Sequence, residues 1–123
     1  MRDNLNHTNT KKLSVITVTY NAEHTLERTL KSVREQTYPA IEHIIVDGNS
    51  NDGTVALIHR YENERLKWIS EPDKGLYDAM NKGIKMATGD YLCFLNAGDT
   101  FYDTDTVQKI FASIDEDHSP DIL

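Results

Sequence analysis

Four short polar clusters in this 123-residue chain carry side chains able to do chemistry: Thr19-Tyr20-Asn21, the run from Asp47 to Asp52, the run from Glu71 to Lys74, and the run from Asn96 to Asp99. Each follows an apolar run directly. Asp99 is a hard oxygen ligand suited to Mg²⁺ or Mn²⁺, and Asn96 adds a carbonyl oxygen. One or two protein ligands suffice for such an ion when a diphosphate supplies the rest. The alternative is that Asp99 caps the short turn at Thr100 and Phe101. The ring of Tyr20 can stack on a base while Thr19 and Asn21 hydrogen-bond to ribose or base edges, or the three residues simply end a strand. Asp47 can accept from a base N–H or a ribose hydroxyl, or close an Asx-turn in its own loop. Lys74 can pair with a phosphate, or stand in solvent as many surface lysines do.

Several familiar motifs fail on inspection. Gly48-Asn-Ser-Asn-Asp-Gly53-Thr54 begins like a phosphate loop, but Thr54 stands where the lysine must be. No G-x-G-x-x-G follows the first apolar run, so the dinucleotide fingerprint is absent. Asp47-x-Asn49-x-Asn51 opens like a calcium loop, yet Asp52 takes the place of its glycine and Ile58 that of its bidentate glutamate. The histidines show neither a Ser-His-Asp pattern nor H-x-x-x-H spacing, which leaves a hydrolase without support.

The elements that must position these clusters follow from periodicity. Leu13 to Val18 is rich in β-branched residues and reads as a buried strand. Ala22, Leu26, Leu30 and Val33 form a helical stripe over 22–36, and Pro39 stops its continuation. Ile41 to Val46 is a second strand. Asp52 caps a helix over 54–61, and Leu66 to Ser70 is a short third strand. Leu76, Ala79, Met80, Ile84 and Ala87 mark a helix ended by Gly89. The run 90–95 reads as the fourth strand, with Tyr91 to Leu95 at the centre of the core and Cys93 as packing. A last helix covers 104–114, and Ser119 to Leu123 resembles the start of another strand. The order β-α-β-α-β-α-β-α predicts right-handed crossovers and a mainly parallel sheet in a three-layer α/β/α fold covered on both faces. In such a sheet ligands bind beyond the carboxyl ends of the strands, the rim where all four clusters fall.

Composition narrows the class. Apolar residues make up 38% and charged residues 27% of the chain, which suits one globular domain over 13–123 behind a flexible tail, 1–12. The formal net charge is −7, and six of those charges come from Asp99 onward, where seven acids face Lys109 alone. The absence of a basic stripe argues against nucleic-acid binding but not against one small phosphorylated ligand, because a metal ion or a single lysine can supply local positive charge. No apolar stretch approaches the roughly 20 residues that cross a bilayer, and 1–12 lacks a signal peptide's apolar core, so the expected compartment is the cytoplasm. The single cysteine cannot form an internal disulfide.

At these residues the chain resembles a family 2 glycosyltransferase of the GT-A, Rossmann-like fold. Ser14-Val-Ile-Thr-Val-Thr-Tyr-Asn21 is similar to the family's opening S-V-I-x-x-x-Y-N, and Ile45-Val-Asp-Gly-Asn-Ser-Asn-Asp-Gly-Thr54 to its V-D-D-G-S-x-D-G-T. Gly75-Leu-Tyr-Asp-Ala-Met-Asn-Lys-Gly83 follows, then Ala87-Thr-Gly-Asp-Tyr-Leu-Cys-Phe-Leu-Asn-Ala-Gly-Asp99, similar to A-x-G-x-Y-[IL]-x-F-L-D-x-D-D. The four blocks occur in order between Leu13 and about Ile114.

The resemblance implies sugar transfer from a nucleotide-diphosphate sugar to a glycan or lipid-linked acceptor, with Mg²⁺ or Mn²⁺ and with inversion at the anomeric carbon. Thr19, Tyr20, Asn21 and Asp47 would hold the nucleoside, Lys74 and Asn96 would complete the donor site, and Asp99 would match the last acid of the metal motif. Asn96 and Gly98 stand where the family has acids, so metal binding rests mainly on Asp99. Gly48 replaces the second acid of V-D-D-G-S and removes one base or ribose contact. Family members carry a second half that binds the acceptor and supplies the catalytic base. No residue here is a base candidate, so the chain reads as the donor-binding half of a longer enzyme. Homo-oligomer formation through an exposed apolar face, and peripheral membrane association through the absent half, are further expectations. The rival readings are a nucleotide-sugar-binding module without catalysis and a response-regulator-like domain phosphorylated on aspartate.

Overall fold

The computed structural model describes residues 10–117. Most of the expected tail and the suggested final strand lie outside this range. Four strands, β1 (Leu13–Thr19), β2 (Ile41–Asp47), β3 (Leu66–Ser70) and β4 (Tyr91–Phe94), alternate with helices α1 (Leu26–Arg34), α2 (Thr54–Arg60), α3 (Leu76–Met86) and α4 (Thr106–Asp117). The sheet order is β3-β2-β1-β4, and every pair is parallel. The first three strands add in one direction and β4 returns to the far side of β1. The crevice where strand order reverses therefore opens between the carboxyl ends of β1 and β4.

Alternation along the strands sorts the core into two layers. Leu13 and Val15 of β1 pack with Val33 of α1 and with Val107 and Phe111 of α4. Ile45 of β2 joins Leu26, Leu30, Leu57 and Ile58 from α1 and α2 on the same side. The opposite face holds Ile16, Ile44, Val46 and Ala79 under α3. Gly83 lets α3 approach closely, since a β-carbon there would lie 2.5 Å from Ile16 Cγ2.

Three expectations need correction. Among the described residues β4 is an edge strand rather than the centre of the core, and Leu92 and Phe94 are 37% and 42% exposed on the α3 face. A continuous apolar run looks the same whether one or both of its faces are covered. The first helix begins at Leu26 because Asn21 turns the chain with φ 49° and residues 22–25 form a turn closed by Leu26 N–H to Ala22 O. The helix before β4 ends in extended backbone at Ala87 (φ −74°, ψ 139°) rather than at a glycine cap. Gly89 serves packing instead, for a β-carbon there would lie 2.6 Å from Ser14 Oγ.

The amino end of the sheet is locked by Glu42. Its Oε2 accepts hydrogen bonds from Ser14 Oγ (2.6 Å) and from the Thr88 N–H (2.6 Å) and hydroxyl (3.1 Å), while Lys67 Nζ lies 2.8 Å from Oε1. Burial pushes this carboxyl up, but the Lys67, Ser14 and Thr88 hydrogen bonds outweigh it and hold the pKa at about 2. On the other face His43 is buried with Nε2 2.8 Å from Thr17 Oγ1, and burial lowers its pKa to about 3, leaving a neutral ring.

Candidate functional site

The rim beyond the strands is built from four loops, one after each strand, and the structure brings all four clusters to it. The loop after β1 is tied to the loop after β2: the Asn21 N–H donates to Ser50 Oγ (2.7 Å), and Asn21 Oδ1 accepts from the Asn51 N–H (2.9 Å). Tyr20 projects outward with 61% of its surface exposed. Thr19 is 3% exposed, and its Oγ1 has no hydrogen-bond partner. Thr19, Tyr20, Asp73 and Leu76 line a cavity of about 320 Å³ on this rim, large enough for a nucleoside-sized group.

Asp47 is fully buried at the last position of β2. Its Oδ2 accepts from the Ser50 N–H (2.8 Å) and Ser70 Oγ (2.7 Å), and its Oδ1 from Ser50 Oγ (2.6 Å). The Asx-turn weighed above is thus present, and Asp47 shapes the 47–53 loop from beneath. The N-cap position of α2 is Gly53, without a side-chain cap, and Asp52, one residue earlier than the capping expectation, accepts from the Thr54 N–H (2.9 Å) and hydroxyl (2.5 Å). Burial raises this carboxyl, yet the hydrogen bonds from Thr54 leave it below its ordinary pKa.

The 96–99 loop lies across the crevice from these residues and is held by α1. The Gly98 N–H donates to Thr29 Oγ1 (2.8 Å), Thr29 donates to the Asp99 carbonyl (2.7 Å), and the Phe101 N–H donates to Ser32 Oγ (2.8 Å). Gly98 has φ 102°, a left-handed conformation in which a side chain would be strained, so this loop cannot comfortably carry an acid there. With the Phe101 N–H already taken, Asp99 does not cap the turn after it. Asp99 and Asn96 are exposed, and neither side chain has a hydrogen-bond or ion-pair partner among the described residues.

Lys74 is exposed; its backbone N–H donates to Asp78 Oδ2 (2.9 Å), and its ammonium acts on the same carboxylate through charge. That hydrogen bond, chiefly, lowers the Asp78 pKa. Lys82 Nζ sits 2.9 Å from Glu71 Oε2 and donates to Pro72 O (3.0 Å), which fastens the 71–75 loop to α3 and raises the Lys82 pKa.

Among the described residues no three His, Cys, Asp or Glu side chains converge to cage a metal ion. The free oxygens of Asp99 and Asn96 still fit a hard cation that takes most of its ligands from a bound diphosphate. Sequence reasoning missed Thr29, Ser32 and Asp73. The signal for Thr29 was a hydroxyl on the buried stripe of α1, where a polar side chain needs a specific partner. Asp73 lay inside a cluster already assigned to the rim.

Comparison with known proteins identifies the class. The sequence profile described as "Glycosyl transferase family 2" matches residues 14–121, and the chain belongs to that family. An uncharacterized glycosyltransferase of Mycobacterium tuberculosis, Rv1514c, is 48% identical over 103 residues, covering 83% of this chain and 39% of the relative. The putative teichuronic acid biosynthesis glycosyltransferase TuaG of Bacillus subtilis is 43% identical over 96 residues, covering 75% and 38%. The chain thus spans about two fifths of these relatives. Among solved structures, S. aureus TarS 1–349 in complex with UDP-GlcNAc superposes with a TM-score of 0.81 at 32% identity, covering 88% of this chain and 32% of that one. The mannosyltransferase PcManGT of Pyrobaculum calidifontis, in complex with GDP-Man and Mn²⁺, gives 0.78 at 28%, covering 87% and 33%. These likenesses agree with the GT-A architecture read from the sequence.

Proposed function

We propose that this chain is the donor-binding part of an enzyme that moves a sugar from a nucleotide-diphosphate sugar to a glycan or lipid-linked acceptor in polysaccharide or glycoconjugate synthesis. The observation that carries the reading is the free carboxylate of Asp99, in a loop fixed by Thr29 beyond the carboxyl end of β4, the strand paired with the β1 strand that leads into Thr19 and Tyr20. Asp99, with Asn96, would hold Mg²⁺ or Mn²⁺. The cation, when bound, neutralises charge on the leaving diphosphate, which suits an in-line displacement with inversion. Lys74 adds a cation for phosphate oxygens, Tyr20 a ring for the base, and Asp47 keeps the 47–53 loop in shape beneath the nucleoside. The UDP-GlcNAc complex of TarS and the GDP-Man and Mn²⁺ complex of PcManGT support this assignment of donor class and cofactor.

Calorimetric titration with UDP- and GDP-sugars, with and without Mn²⁺, tests it. Saturable heat that requires the cation is expected. No heat with any donor refutes the donor site.

A second reading has one specific observation in its favour: the cation loop offers a single carboxylate, with Asn96 and Gly98 where acids would strengthen it. On that reading the site binds nucleotide sugars without catalysing transfer. Sugar transfer by the 123-residue chain itself excludes it.

A further inference from the structure

Gly48 leaves a gap behind the cavity lined by Tyr20 and Asp73, and another residue fills it. A β-carbon built at Gly48 would lie 2.8 Å from Asp73 Oδ2 and 3.5 Å from Tyr20 Cδ1. The Asp73 carboxylate and the Tyr20 ring therefore close on the same point from two different loops. Asp73 is aimed there by its own loop: Oδ1 accepts from the Gly75 N–H (3.1 Å), and Oδ2 has no partner among the described residues. The loop itself is anchored to α3 through Lys82 and Asp78. Thr19 lines the same cavity with its Oγ1 buried beneath the surface.

We propose that Asp73 is the residue that reads the nucleobase, selecting bases that present a ring N–H. This rests on the donor-site reading above. An ionised carboxylate is an acceptor only, so it favours an edge that donates. Uracil offers N3–H, and guanine offers N1–H beside its N2 amino group. Cytosine and adenine present a bare ring nitrogen at the equivalent position, which would face the carboxylate lone pair to lone pair. A base stacked on the exposed face of Tyr20 brings its edge to Asp73 Oδ2. Asp73 thus supplies from the 71–75 loop the carboxylate that position 48 lacks.

The test measures affinities for UDP, GDP, CDP and ADP with Mn²⁺ for the wild type, Asp73→Asn, and the double variant Gly48→Asp with Asp73→Ala. UDP and GDP should bind the wild type well ahead of CDP and ADP. Asp73→Asn should lose roughly 10- to 100-fold for UDP and GDP, the scale of one hydrogen bond to a charged group, and little for CDP. The double variant, with its carboxylate moved to the opposite side of the same gap, should recover the UDP-over-CDP preference. If no nucleotide binds the wild type, the donor site itself fails. If UDP binds but the UDP-to-CDP ratio is the same in Asp73→Asn, or both ligands weaken equally, Asp73 serves the ribose or the loop and the base-reading role is overturned.

Discussion

At the amino end of the sheet Glu42 is buried under hydrogen bonds from Ser14, Thr88 and Lys67, whereas at the carboxyl end Asp99 stands exposed with no partner among the described residues. The same functional group does opposite work in the two places. Glu42 joins β1, β2, β3 and the turn before β4 into one body, its Oε2 hydrogen-bonded to Ser14 and Thr88 and its buried Oε1 turned to Lys67 and Lys12 rather than to a ligand. Asp99 has its backbone fixed by Thr29 and its carboxylate left over, so its capacity is available to a ligand. Asp47 stands between them: it lies on the functional rim but is wired like Glu42, through Ser50 and Ser70. Position on the rim is therefore not enough to make a carboxylate a ligand-binding group; its remaining lone pairs decide.

The contrast breaks most sharply with Asp99→Ala. Cation-dependent donor binding should weaken by at least about 100-fold, the loss of a metal ligand costing no less than the loss of a group behind one. Thermal stability should stay within the small range of ordinary surface changes. A matching drop in melting temperature would show that Asp99 is structural after all. Glu42→Ala should do the reverse. It strands the Ser14 hydroxyl and the Thr88 N–H and should cost about 2–3 kcal/mol in denaturant unfolding, with donor affinity unchanged in the folded protein.

The pH profile sharpens the same comparison. His43 has a folded pKa of about 3, below the ordinary 6.5, so the unfolded chain binds the extra proton and stability falls as pH drops below 6.5. The loss should reach about 2 kcal/mol by pH 5 and vanish from the profile of His43→Leu. Glu42 adds its own loss only lower down, between its ordinary 4.5 and about 2, because its folded form resists protonation. Unfolding curves from pH 7 to 3 separate the two steps. The smallest effect belongs to Thr29→Val, which keeps the packing but leaves the Gly98 N–H unpaired. It should cost about 1 kcal/mol of stability and weaken cation-dependent binding while leaving cation-free nucleotide binding intact.

Much of this was legible in the residues. Periodicity located every strand and helix, and alternation of β with α placed four polar clusters on one rim. The sheet order was not legible, because the Tyr91 to Leu95 run is as apolar as a central strand and nothing local reveals that, among the described residues, β1 alone lies beside it. The difference between Asp47 and Asp99 was equally hidden. Each follows an apolar run, and the partner that closes Asp47 from β3, Ser70, is 23 residues away. Gly48 was read as a lost contact; that Asp73 fills its space depends on how two loops approach, which no motif spells out.

The open side of β4 has a colloidal consequence. Among the described residues the far edge of β4 is unpaired, and with half-exposed Leu92 and Phe94 beside it this edge is a template on which a second copy can add a strand. At neutral pH the net charge of −7 keeps copies apart. That repulsion disappears near the isoelectric point of about 5.1, where loss of His43-linked stability has also begun, so light scattering from the chain should peak close to that pH and subside with a lysine at position 92.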